Sequence, residues 1–134
     1  NGQWQPPRTI RRIIDGNNCD PRQLSRCHTL HDSRQEARKS GAAVLDRQVA
    51  RQMTGLLQGV VREGTGRSAQ LGRGEAGKTG TTNRAVDLWF IGYVNHRGRP
   101  LVTGVWLGND DNSPTRGSSA QAAAVWRDYM DRAL

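Results

Sequence analysis

The chain has very little lysine and few aromatic residues. Of its 134 residues 20 are basic, yet only Lys39 and Lys78 are lysines. The aromatics are four Trp, two Tyr and one Phe, and Trp4 alone lies in the first 88 residues. With a hydrophobic fraction of 34%, any core must be small. We expect its aromatic part to lie in the C-terminal third.

The sequence also lacks long apolar runs and clustered charge. No stretch approaches the roughly 18 apolar residues that span a bilayer. A net charge of +8 favours acidic partners. However, the arginines are scattered and no aromatic platform lies among them, so we interpret them as a solvated surface and predict no nucleic-acid binding. Because the chain begins at Asn1 without methionine, we expect a piece of a larger protein.

Only two cysteines are present, Cys19 and Cys27. A disulfide between them would close a short polar loop, contribute about 2 kcal/mol and indicate an oxidising compartment. Two cysteines alone leave free thiols as an alternative. With His28 and His31 they also make a four-ligand set for zinc, but the spacing matches no usual zinc pattern, so no metal is predicted.

The N-terminal part contains one predicted strand and one predicted helix. Residues 1–16 read as a strand that enters a hairpin turn at Asp15-Gly16. Residues 17–44 are polar and aperiodic, which is typical of an exposed loop. A helix is predicted over residues 45–64, capped by Asp46, and its apolar side chains recur at helical spacing. That apolar stripe must be buried against a partner surface.

The C-terminal part is predicted to hold the sheet. Three antiparallel strands are expected within residues 76–108, at about 76–82, 87–94 and 101–108. A second helix is expected over residues 119–134. The predicted fold class is α+β, with an antiparallel sheet covered by helices in one domain.

The most informative stretch is Gly77-Lys78-Thr79-Gly80-Thr81-Thr82. It places an ammonium, three hydroxyls and a glycine on a predicted strand, a suitable surface for a peptide carboxylate. Residues 72–79 also fit the phosphate-loop pattern G-x-x-x-x-G-K-[ST]. A phosphate loop requires an apolar strand before it and a helix after it. Here the preceding segment is polar and the following residues are β-branched, so nucleotide binding is the less favoured alternative.

Five motifs in order resemble the C-terminal half of the transpeptidase domain of penicillin-binding proteins, above all the bifunctional class A synthases. They are Asn1-Gly2 with Pro6-Pro7, Val60 to Gly66, Gly77 to Thr82, Asp87 to Tyr93, and Val105 to Asp110. Residues 17–44 have no recognisable counterpart. The resemblance implies the penicillin-binding and serine β-lactamase-like transpeptidase fold, cross-linking of peptidoglycan stem peptides by acyl transfer, β-lactam binding and no cofactor.

The resemblance also implies roles for five residues. Lys78 would direct positive charge toward the substrate carboxylate, to which Thr79 and Thr81 would offer hydroxyls. The backbone N–H of Thr81 would be one of two oxyanion donors. Gly80 would let an acyl-D-alanyl-D-alanine stem peptide or a β-lactam lie along the strand like an added strand, and Thr82 would complete the substrate-binding run.

The nucleophile is missing from this sequence. The family motif set is S-x-x-K, S-x-N and K-T-G, and only the third occurs here. The chain alone is therefore expected to be inactive and to need the N-terminal half of the same domain. The parent is expected on the periplasmic face of the bacterial inner membrane, anchored by a segment absent from this chain. The alternative is a β-lactam or peptide sensor on the same fold without turnover.

Overall fold

The computed structural model describes residues 2–4, 7, 9–17, 19–34 and 42–134. Asn1 and Pro6 of the first motif lie outside these residues, as does the 35–41 part of the predicted loop. The chain divides into an N-terminal unit, Asn1–Ala50, and a C-terminal unit, Arg51–Leu134. Within the described residues, no helix combines the length and apolarity needed to span a bilayer.

The N-terminal unit contains two short antiparallel pairs. Strand β1 (Gln3–Trp4) pairs with β4 (Ala42–Ala43), and β2 (Arg12–Ile14) pairs with β3 (Thr29–Asp32). The tight hairpin expected after Ile14 is therefore replaced by a longer connection, and β3 lies inside the range predicted as a loop. Cys19 and Cys27 form a disulfide within that connection, with a Cα–Cα distance of 5.0 Å. The cross-link brings the chain back to β2, which explains how strands distant in sequence can pair.

Among the described residues of this unit only Cys27 and Ser33 are buried, so it has almost no hydrophobic core. The disulfide is therefore its main stabilising contact. We expect the Cys19→Ser/Cys27→Ser double variant to lose about 2 kcal/mol of local stability, since the open loop regains conformational entropy. Amide hydrogen exchange measures this loss at the paired residues Ile13 and His31, and the amides of the C-terminal unit serve as the internal reference. Unchanged exchange at Ile13 after reduction of the wild-type chain would contradict the expectation.

The C-terminal unit holds the sheet. Helix α1 (Arg47–Arg62) leads into this unit, and strands β5 (Ala76–Thr81), β6 (Leu88–His96) and β7 (Arg99–Leu107) follow it. The strands pair antiparallel in the order β5-β6-β7, and α2 (Ser119–Ala133) closes the unit. Arg97 and Gly98 join β6 to β7 with φ of 50° and 78°, as a two-residue primed turn requires. The predicted α+β fold class is confirmed.

Strand β6 alternates buried and exposed positions, so the sheet has one inner face. Helix α2 covers that face. The Trp126 ring meets the Phe90 ring edge-on at a centroid distance of 5.3 Å, and Trp126 Nε1 donates a hydrogen bond to the Thr103 carbonyl at 3.1 Å. Trp126 and Phe90 are both fully buried, so this aromatic pair is the centre of the core.

The outer face of the sheet is apolar and exposed. It carries Trp89, Ile91, Val102 and Trp106, which are 40% to 60% exposed. Helix α1 leaves Met53 and Leu56 exposed by 53% and 68%. The stripe that the sequence predicted to be buried is thus only partly covered among the described residues. Leu57 and Val60 are half-buried, and Val61 in the last turn is buried.

Candidate functional site

The four residues from Lys78 to Thr81 lie on β5, as the β-branched sequence predicts. Lys78 is in register with Ile91 and therefore points to the outer face, whereas Thr79 is in register with Phe90 and points inward. Thr79 is only 8% exposed. The strand therefore places the ammonium stem and the first hydroxyl on opposite faces.

The Lys78 side chain overcomes this separation by its length. Its Nζ donates a hydrogen bond to the backbone carbonyl of Thr79 at 2.8 Å. The positive charge is thereby held beside the strand backbone, although the Cβ of Lys78 points to the outer face. The reach of the lysine, and not a distortion of the strand, resolves the alternation that the sequence presents.

The hydrogen-bond pattern of β5 shows where its amides point. Thr82 N–H donates to the Asp87 carbonyl at 3.1 Å, and this pair continues the register of Thr81 with Leu88. Because bonded and non-bonded pairs alternate in an antiparallel ladder, the amides of Thr79 and Thr81 point away from β6. Within the described sheet β5 is an edge strand. Those amides are therefore available to an extended ligand.

The end of β5 is fixed by a polar cluster around Asp87. Asp87 Oδ2 accepts from Thr82 Oγ1 at 3.1 Å, and Asp87 N–H donates to the same hydroxyl at 2.8 Å. Asp87 Oδ1 accepts from Trp106 Nε1 at 2.9 Å. The Thr82 hydroxyl therefore closes the turn after Thr81, and the sequence analysis did not identify Asp87 as its partner.

The loop before β5 holds an anion of its own. The buried Glu75 carboxylate accepts backbone N–H bonds from Leu71 at 2.7 Å, Gly72 at 3.2 Å and Arg73 at 2.8 Å. The Gly72 and Arg73 amides belong to the segment that resembles a phosphate loop, and the Glu75 carboxylate occupies them. In addition, Thr79 is followed by more strand instead of a helix. A nearby cavity of about 380 Å³ is lined by Gln58 and Glu75 among others, and not by residues 78–82.

Glu75 should make stability depend on pH. Burial opposes ionisation, but the backbone N–H donors outweigh it, so the pKa of Glu75 lies below its ordinary value. A carboxylate whose pKa is lower in the folded chain contributes stability above the unfolded pKa, and this contribution is lost as pH falls through the folded pKa. The gain is therefore complete at neutral pH and disappears in acid.

We expect Glu75→Gln to cost about 1–3 kcal/mol of unfolding free energy at pH 7, because an amide offers one acceptor oxygen to three donors. The difference from wild type should shrink below pH of about 4. Urea unfolding at pH 7 and pH 3 measures both effects. Glu63→Gln is the matched control, since the Glu63 side chain is 73% exposed. Equal losses for both variants would contradict this role.

The Thr79 hydroxyl contacts a second threonine. Its Oγ1 lies 2.6 Å from Thr65 Oγ1, and Thr65 belongs to the turn after α1. The sequence analysis assigned Thr79 to the substrate carboxylate and missed Thr65. The only local signal was a threonine between two glycines.

The structure therefore brings the Lys78 ammonium and the Thr81 amide to one open strand edge, next to Gly80. Thr65 joins them from another part of the chain. The two cysteines lie in the N-terminal unit, and their bond removes both thiols from the zinc alternative. No cluster that could hold a metal ion is present among the described residues.

Comparison with known proteins gives consistent matches. The family described as "Penicillin binding protein transpeptidase domain" matches residues 1–131. The chain is 40% identical to penicillin-binding protein 1B of Haemophilus influenzae over 70% of its length, and 42% identical to penicillin-binding protein 1A of Pseudomonas aeruginosa over 68%. It is 31% identical to penicillin-binding protein 1F of Bacillus subtilis over 99%. The alignments cover 12%, 11% and 18% of these relatives.

Proposed function

Because the chain belongs to the penicillin-binding protein transpeptidase family, we propose that it is part of a peptidoglycan D,D-transpeptidase and supplies the Lys-Thr-Gly wall of the cleft. The parent would cross-link stem peptides through an acyl-enzyme and would be acylated by β-lactams. One observation carries this proposal: β5 is an edge strand whose Thr81 amide points outward beside the Lys78 ammonium.

The geometry fits the steps of acyl transfer. An extended acyl-D-alanyl-D-alanine chain can add to the open edge of β5 by main-chain hydrogen bonds. The outward amide of Thr81 can then donate to the oxygen on which negative charge develops. The Lys78 ammonium adds positive charge to the same edge, where it favours the terminal carboxylate of the peptide.

The nucleophile must come from elsewhere, because the sequence contains no S-x-x-K motif. We propose that the N-terminal half of the same domain supplies it and covers the apolar outer face of the sheet. Trp89 and Trp106 support this, because they are 40% and 45% exposed and their ring centroids lie 6.3 Å apart. Contiguous apolar surface of this kind is typical of an interface.

The parent would work outside the cytoplasmic membrane, held there by a segment that is not part of this sequence. The disulfide between Cys19 and Cys27 supports this assignment, because disulfides persist in oxidising compartments. The substrate would then be lipid-linked peptidoglycan, and no cofactor is required for this chemistry.

Fluorescent penicillin labelling with intact mass spectrometry tests the proposal. The 134-residue chain should remain unlabelled, and the complete domain, formed with the N-terminal part of the Haemophilus influenzae relative, should gain one penicilloyl group on a serine of the added part. A covalent adduct on the chain alone would refute the proposal. Stoichiometric binding of penicillin to the complete domain without acylation would favour the sensor alternative.

A further inference from the structure

We propose that Thr65 is a further carboxylate-binding residue of the cleft, and that it makes with its own hydroxyl the contact which the sequence assigns to Thr79. The proposal rests on the function proposed above. Thr65 Oγ1 lies 2.6 Å from Thr79 Oγ1. Thr79 is 8% exposed, whereas Thr65 is exposed, so Thr65 is the member of the pair that a ligand can reach.

In the hydrogen bond between the two hydroxyls, either Thr79 donates to Thr65 or Thr65 donates to Thr79. A threonine hydroxyl has one proton and two acceptor sites. If Thr79 donates to Thr65, the buried hydroxyl is satisfied and the Thr65 proton remains free to bond outward. A hydrogen bond to an anionic acceptor is shorter and stronger than one to a neutral acceptor. An arriving carboxylate therefore selects this direction.

The turn that carries Thr65 is held rigidly. Gly64 N–H and Gly66 N–H both donate to the Val60 carbonyl, at 3.0 and 3.1 Å. A Cβ at Gly64 would lie 2.9 Å from the Val60 carbonyl oxygen, and one at Gly66 would lie 3.1 Å from Phe90 Cε2. Gly64 is therefore required by close approach to backbone, and a side chain at Gly66 would force the Phe90 ring to shift. The two glycines and their bonds to Val60 define the backbone from which the Thr65 side chain projects.

Positive charge is available at the residue that Thr65 contacts. Thr79 contacts Thr65 through its hydroxyl and accepts from Lys78 Nζ through its carbonyl at 2.8 Å. A single residue thus links a hydroxyl donor to an ammonium. A hydroxyl and an ammonium that both contact Thr79 can each bond to the carboxylate of one bound ligand. The ligand class is a peptide or β-lactam that carries a free carboxylate.

The test titrates the ¹⁵N-labelled 134-residue chain with N-acetyl-D-alanyl-D-alanine and, separately, with its C-terminal amide. Shifts of the Gly80 and Thr81 amide resonances report binding at β5. Thr65→Val removes the hydroxyl at nearly constant volume, and Thr65→Ser restores it. Thr9→Val is the matched control, because it makes the same change at an exposed threonine in the N-terminal unit.

We expect Thr65→Val to weaken binding of the free acid about tenfold, since a bond to a charged group is lost. Binding of the neutral amide should change little, and Thr65→Ser should restore the free acid. Equal weakening of acid and amide would overturn the proposal in favour of a structural role, and so would unchanged binding of the acid. No binding of either peptide to the wild-type chain would also overturn this inference, whereas the proposed function is decided separately by penicillin labelling of the complete domain.

Discussion

Replacement of Trp126 by alanine is expected to remove a large part of the stability of the C-terminal unit. Trp126 is fully buried, packs against Phe90 and donates to the Thr103 carbonyl. Truncation of a buried tryptophan costs about 3–5 kcal/mol through lost transfer energy and the cavity it leaves. A whole domain is stable by only about 5–15 kcal/mol. Urea unfolding followed by far-UV circular dichroism measures the loss.

Two further variants separate the causes. Val125→Ala changes the neighbouring position, which is 48% exposed, and should cost less than about 1 kcal/mol. Trp126→Phe keeps an aromatic ring and removes the bond to Thr103, at an expected cost of about 1–2 kcal/mol. If Trp126→Ala resembled Val125→Ala, the core would not be centred on the aromatic pair.

Loss of the Thr81 amide is expected to reduce acylation of the complete domain by a penicillin about 10²- to 10³-fold, the usual effect of removing one oxyanion donor. Thr81→Pro achieves this because proline has no N–H. The substitution should spare the sheet, since this amide points away from β6 and proline is tolerated where an edge-strand amide faces outward. Stopped-flow labelling with fluorescent penicillin gives the second-order rate constant.

Thr81→Val is the matched control for that experiment. It retains the amide and removes only the hydroxyl, so its acylation rate should remain within about tenfold of wild type. Thermal unfolding of both variants checks that the strand is intact. If Thr81→Pro and Thr81→Val acylated at the same rate, the Thr81 amide would not be an oxyanion donor.

The sheet of the C-terminal unit could be predicted because its signals are local. Thr79, Thr81 and the alternating residues of β6 favour extended structure on their own. The short interval between the strands predicted at 87–94 and 101–108 permits only antiparallel neighbours. Strand β3 was missed because its pairing with β2 depends on a cross-link and on a partner far along the chain. A short polar segment without that partner has no reason to be extended.

The candidate site shows the same limit. The sequence predicted site roles for Lys78 and Thr81, because the residues of the K-T-G pattern are contiguous. It could not place the Thr79 hydroxyl, since that depends on which face of the strand meets Thr65, 14 residues earlier. It also could not decide how Lys78 reaches the strand edge, because side-chain length permits several answers and the contact with the Thr79 carbonyl selects one. Side-chain positions that depend on tertiary contacts cannot be predicted from the local sequence.

The outward amides of β5 also create a risk of aggregation. A bare strand edge that accepts a peptide can equally accept a second copy of itself, which begins lateral growth into fibres. Lys78 holds an ammonium at this edge through the Thr79 carbonyl, and like charges on two facing edges repel. We therefore expect Lys78, the residue that attracts the proposed ligand, also to disfavour edge-to-edge pairing of two copies of the chain.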